Sequence, residues 1–108
     1  MANTFTNAAA AATTTLTTLY EAPVGTTTVV HAIYISNVDG VNDATIDISV
    51  SGSNSFNTRR YLLKTVEVPA DTTVVIEKPI NLGTGDKIET KASVAGDIDV
   101  FMSLLEMT

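Results

Sequence analysis

The chain has 108 residues, a formal net charge of −6 and no cysteine. This length suits one domain with a single core, and the absence of cysteine excludes disulfides and thiolate metal sites. All six basic residues lie between Arg59 and Lys91, interleaved with acidic ones, whereas nucleic-acid binding requires concentrated positive charge. Nucleic acid is therefore not an expected partner.

The sequence predicts neither a membrane segment nor a secretory leader. No apolar run approaches the roughly 20 residues that cross a bilayer. The first 12 residues lack the positive charge and the leucine-rich stretch of a signal peptide. We expect a chain that is neither secreted nor membrane-bound by its own signals.

Residues 1–13 are predicted to form a flexible N-terminal arm. The run of alanines from Ala8 to Ala12 is too short to nucleate a helix. Phe5 is the only aromatic side chain of this segment. We expect the arm to become ordered when it docks on a partner, with Phe5 as its anchor and a candidate interface residue.

Residues 14–108 are predicted to form a single all-β domain, a small β-sandwich of about seven antiparallel strands. Stretches rich in Thr, Val and Ile favour strands, and clusters of Gly, Pro, Asn and Asp separate them. The predicted strands are 14–20, 27–37, 44–51, 60–68, 72–77, 87–93 and a last strand from 98. Short strands with a turn every 8–12 residues are typical of sandwiches and jelly rolls, so we expect a jelly-roll-like architecture.

Two similar phrases mark corners between these strands. The phrase EAPVGTTTVV at 21–30 returns as EVPADTTVVI at 67–76. In each, proline suits a tight turn, and the residues after it favour a strand. Both phrases therefore predict a strand, a tight corner and another strand.

The strand at 27–37 is apolar on both faces. Strict alternation assigns its residues to two sets, Val29, His31, Ile33 and Ile35 against Val30, Ala32, Tyr34 and Ser36. A strand of this kind is typical of a sheet centre or of a contact between subunits. Val30 and Tyr34 are therefore candidate partner-interface residues.

Three later segments alternate more simply between apolar and polar residues, as half-buried strands do. The residues predicted to face the core are Ile46, Ile48, Val50, Ile88, Thr90, Ala92, Ile98, Val100, Met102 and Leu104. Those predicted to face outward are Thr45, Asp47, Ser49, Lys87, Glu89, Lys91, Asp99, Phe101, Ser103 and Leu105.

The loop at 51–58 contains small polar residues and one aromatic, Phe56. An exposed Phe56 would anchor a partner, which makes it a further candidate interface residue. The alternative is that Phe56 folds back as a lid over the core.

The residues show no pattern of catalytic chemistry. His31 is the only histidine and lies in an apolar strand, where a core or interface role is more common than catalysis. Acid pairs such as Asp97 and Asp99 could bind a hard cation, but their spacing matches no known calcium loop. Gly83 and Gly85 precede a strand rather than a helix, which does not fit a dinucleotide loop. We expect no enzyme and no cofactor.

Four pieces of the sequence together resemble small structural proteins of tailed bacteriophages. They are the opening MANTFTNA, the stretch TTLYEAP with VVHAIYISN, the VPA corner at 68–70, and the ending from GDKI at 85–88 to LLE at 104–106. The likeness covers nearly the whole chain, and its motifs belong to β-sandwich architecture rather than to an active site.

This resemblance implies a non-enzymatic virion protein, most simply a capsid decoration (cement) protein that stabilises the head shell. The alternative is a neck, tail, fibre or baseplate accessory protein. The implied partners are the major capsid protein or other virion proteins and further copies of this chain, with a trimer favoured. The implied location is the virion surface, after assembly in the host cytoplasm.

Overall fold

The computed structural model describes residues 2–52 and 59–108, and within them the chain forms nine β-strands. Their bounds are β1 Asn3–Ala11, β2 Thr17–Glu21, β3 Thr27–Asn37, β4 Ala44–Ser51, β5 Arg60–Val68, β6 Thr73–Ile76, β7 Ile80–Leu82, β8 Lys87–Ala92 and β9 Ile98–Met107. The described residues contain no helix of the length and hydrophobicity needed to cross a membrane.

The strands form two packed antiparallel sheets. Sheet A has the order β1-β9-β3-β6, and β7 also pairs with β3; sheet B has the order β2-β8-β4-β5. Strand β6 pairs with the end of β3 at 33–36, and β7 pairs with its start at 28–30. Together they form one edge strand that is interrupted near Pro79, which has no amide hydrogen to donate.

The pairing is that of a jelly roll. Strand β1 pairs with β9, β2 with β8, β3 with the interrupted strand β6–β7, and β4 with β5. Placed end to end, these pairs form one long antiparallel hairpin. When this hairpin folds over itself, its strands are divided between two sheets. The predicted all-β, jelly-roll-like sandwich is confirmed, and the structure adds β1 and β7 to the predicted strands.

The N-terminal segment is not a free arm in the structure, contrary to the prediction for residues 1–13. Strand β1 is in continuous register with β9, from Asn3 opposite Met107 to Ala11 opposite Asp99. Ala12 is 2% exposed and belongs to the core, and its amide donates to the carbonyl of Ile98 at 2.8 Å. Pairing with a long partner strand overrides the weak strand propensity of alanine.

The core lies between the sheets and contains the predicted apolar residues. The residues predicted to face inward on β4, β8 and β9 are all buried: Ile46, Ile48, Val50, Ile88, Thr90, Ala92, Ile98, Val100, Met102 and Leu104. Because β4 and β8 belong to sheet B and β9 to sheet A, these side chains form the two faces of a single core.

The repeated proline phrases form two turns of the same kind. In each turn the amide of the fourth residue donates to the carbonyl of the proline, and the third residue has a positive φ. The turns are Pro23 to Thr26 (3.1 Å, Gly25 φ 76°) and Pro69 to Thr72 (3.1 Å, Asp71 φ 59°). This is the geometry of a type II turn, and it explains why the phrase occurs twice.

A tyrosine connects the two sheets at one end of the sandwich. Tyr20 of sheet B donates a hydrogen bond of 2.6 Å to Glu106 Oε2 of sheet A, and its hydroxyl lies 2.8 Å from Thr28 Oγ1. Burial and the hydrogen bond to Glu106 raise the pKa of Tyr20 to about 12. The folded state therefore favours the protonated phenol.

Replacing Tyr20 with Phe should lower the free energy of unfolding by about 1–2 kcal/mol, because the buried Thr28 hydroxyl loses its partner. A raised pKa of the phenol stabilises the fold fully below pH 10 and ceases to do so as the pH rises through about 12. Urea titrations at pH 7 and across this alkaline window measure both effects. The exposed Tyr61→Phe is the control, and equal stability of the two variants contradicts the sheet-connecting role.

Candidate partner-binding face

A bulge in β3 determines which of its side chains face outward. Val30 pairs with Leu104 and Ala32 with Ser103, so His31 is an extra residue between two positions of β9. The extra residue shifts the alternation by one position, so residues before and after it that strict alternation assigns to one face lie on opposite faces. Val30 is consequently fully buried, while Tyr34 is 42% exposed. The prediction of Val30 as an interface residue is wrong, since Val30 is part of the core.

An apolar row crosses the outer side of sheet A. The register places Ala9, Phe101, Tyr34 and Val75 side by side on four neighbouring strands. Phe101, Tyr34 and Val75 are 43%, 42% and 37% exposed, and the rings of Tyr34 and Phe101 lie 6.3 Å apart. Aromatic and branched cross-strand neighbours stabilise a sheet, but here they leave much of their surface in water.

A second row lies towards the start of β1. Phe5 pairs with Leu105, which pairs with Val29. The Phe5 ring is stacked on His31, with 6.0 Å between ring centroids, and Phe5 is 75% exposed. The row between them contains Asn7, Ser103 and Ala32. We call these three rows, together with His31, the aromatic face.

The outer side of sheet B is different, because two pairs of opposite charges lie on it. Arg59 Nε lies 3.0 Å from Glu89 Oε1, and Lys64 Nζ lies 3.3 Å from Asp47 Oδ2. The hydrogen bond from Arg59 lowers the pKa of the Glu89 carboxyl. Asp47 and Glu89 do lie on the outer side as predicted, yet they are buried under these partners. Two carboxylates on the outer side of sheet B are thus already paired with basic side chains.

The predicted interface residues do not form one set. Phe5 and Tyr34 both lie on the aromatic face, and Val30 lies beneath it in the core. Phe56 lies outside the described residues. Sequence reasoning placed Phe101 outward without assigning it to the interface, because its position beside Tyr34 depends on a register between strands far apart in sequence.

The acidic loop between β3 and β4 uses its carboxylates to hold the chain in a turn. Asp39 Oδ1 accepts hydrogen bonds from the amides of Val41 (2.8 Å) and Asn42 (3.2 Å), and these bonds lower the pKa of Asp39. Burial and the nearby Asp39 raise the pKa of Asp97. In the part of the chain that the structure describes, no three His, Cys, Asp or Glu side chains are grouped to hold a metal ion.

No protein-family model, curated protein or solved structure matches this chain. The aromatic face is therefore interpreted from its own chemistry. Exposed apolar rows on one side of a small domain, here separated by Asn7 and Ser103, are typical of association sites. Its residues supply flat, rigid contact area, which suits binding to another protein surface.

Proposed function

We propose that this chain is a non-enzymatic structural protein of a tailed-bacteriophage virion, and that it decorates and stabilises the head shell. The observation that supports an assembly role is the exposed aromatic face of sheet A, with Phe5, Tyr34 and Phe101 in water. The assignment to a virion rests on the sequence resemblance.

Stabilisation by such a protein follows from the area that it buries. A subunit that adds to a completed shell and spans the junction between capsomers creates contacts that internal pressure must break in addition to those of the shell. A preformed sheet face loses little conformational entropy on binding. Because β1 is part of sheet A, Phe5 is presented by a paired strand rather than by a mobile arm.

Heads that lack the protein should release their DNA at a lower temperature than complete heads, and adding the purified protein should restore the difference. Phe101→Glu should fail to restore it, because a charge on the aromatic face must be desolvated on assembly. Tyr61→Glu is the matched control, since Tyr61 is an aromatic residue of sheet B with 47% exposure.

The number of copies per particle tests the location on the virion. Decoration requires hundreds of copies, measured by quantitative mass spectrometry against the major capsid protein. A few copies to a few dozen contradict decoration and indicate a neck, tail, fibre or baseplate position. Heads of unchanged thermal stability after loss of the protein contradict the stabilising role.

A further inference from the structure

We propose that the aromatic face binds the aromatic face of a second copy of this chain, so that the two copies are related by a two-fold axis. This inference concerns the isolated protein. Because the pair covers the face that docks on the shell, the two copies separate before docking. It rests on the shape, the charge and the area of the face.

The face carries both a projection and a hollow. The projection is Phe5, whose side chain is the most exposed aromatic of the described residues at 75%. The hollow, of about 400 Å³, lies beside Phe101 and Tyr34 and has Ala9 and Ala11 among its lining residues. Benzene fits a protein cavity of about 150 Å³, so the hollow is large enough for a phenyl ring.

The projection and the hollow occupy opposite ends of the same face. Phe5 precedes Ala9 and Ala11 by four and six residues on β1, which corresponds to about 14–20 Å along the strand. One copy therefore cannot fill its own hollow with its own Phe5. A second copy, turned by a two-fold axis across the strands, places each Phe5 over the hollow of the other copy.

The ionisable groups of the face agree with the same arrangement. His31 lies beside Phe5, and Asp99 lies at the other end, opposite Ala11 and Ser36. In the two-fold pair the two Asp99 carboxylates lie at opposite ends and are kept apart, whereas His31, which is level with Thr6 and Asn7 of β1, lies near the axis. No carboxylate of this face therefore meets the same carboxylate of the other copy.

The area is sufficient for one specific contact. The whole outer side of sheet A, with four strands about 4.8 Å apart and the longest of them about nine to eleven residues at 3.4 Å, measures at most roughly 600 Å². Two copies that covered this side completely would bury roughly 1,200 Å², the lower limit for stable protein interfaces. Because the described residues of each copy form one such face, stacking face to face closes at two copies, which favours a two-fold pair over the three-fold ring expected from the resemblance.

Sedimentation equilibrium of the purified chain tests the pairing. The wild type should form dimers in a concentration-dependent manner. Phe5→Lys and Ala9→Glu should each raise the dimer dissociation constant by about 30-fold or more. The double variant F5K/A9E should recover part of the affinity, because each Lys then faces the Glu of the other copy.

The recovery identifies the contact, since residues 5 and 9 of one copy are too far apart to pair within the chain. Tyr61→Glu on sheet B is the control and should dimerise like the wild type. A circular-dichroism melt of each variant confirms that it is folded. A wild type that stays monomeric at millimolar concentration overturns the pairing, and so does a double variant no tighter than its single parents. Neither result affects the proposed virion role, which is measured on particles.

Discussion

Deleting residues 1–12 is expected to unfold the protein. The deletion removes β1 and with it the whole continuous register between β1 and β9. It also removes Ala12 from the core and exposes the edge of β9, the strand that carries Val100, Met102 and Leu104. Each backbone hydrogen bond contributes about 1 kcal/mol, so the loss approaches the 5–15 kcal/mol that stabilises a whole domain.

Thermal melts by circular dichroism compare the truncated chain with the full-length protein. Phe5→Ala is the control, because it removes an exposed side chain and leaves the backbone pairing of β1 intact. It should melt within a few degrees of the wild type. A truncated chain that also melts there would show that residues 1–12 behave as the dispensable arm that their composition predicts.

The difference between β1 and the other strands shows what the sequence encodes locally. The bounds of β3, β4 and β5 agree with the strands predicted at 27–37, 44–51 and 60–68, where β-branched residues and flanking turn formers are strong signals. Strand β1 consists of Asn, Thr and Ala around a single Phe. It forms a strand because it pairs along the edge of β9, almost a hundred residues later in the sequence. The residues of β1 themselves carry no local signal of that partner.

The candidate face was predictable only in part. Tyr34 was recognised as a candidate because β3 is apolar on both faces, and the structure leaves its side chain 42% exposed. The same reasoning misplaced Val30, because the bulge at His31 shifts the alternation by one residue. No glycine or other turn-forming residue near His31 indicates this bulge in the sequence. The pairing of Phe101 with Tyr34 follows from the fold of the long hairpin. The partner of the face stays a prediction.

Replacing Ile48 or Val100 with Asp should also unfold the protein, and from opposite sides of the core. Ile48 belongs to β4 in sheet B and is 0% exposed, while Val100 belongs to β9 in sheet A and is 1% exposed. A carboxylate at either site is buried among apolar side chains without a partner. That costs several kcal/mol in addition to the lost packing, out of a total stability of about 5–15 kcal/mol.

Phe101→Asp provides the matched control for Val100→Asp, because the neighbouring side chain of the same strand points to solvent and is 43% exposed. Both variants add one carboxylate to β9, so only the direction of the side chain differs. We expect Phe101→Asp to retain a cooperative melt. Val100→Asp should show no cooperative melt, because it is unfolded at all temperatures. If the two variants melt together, within a few degrees of the wild type, Val100 does not face the core and the assignment of the inner face of β9 is incorrect.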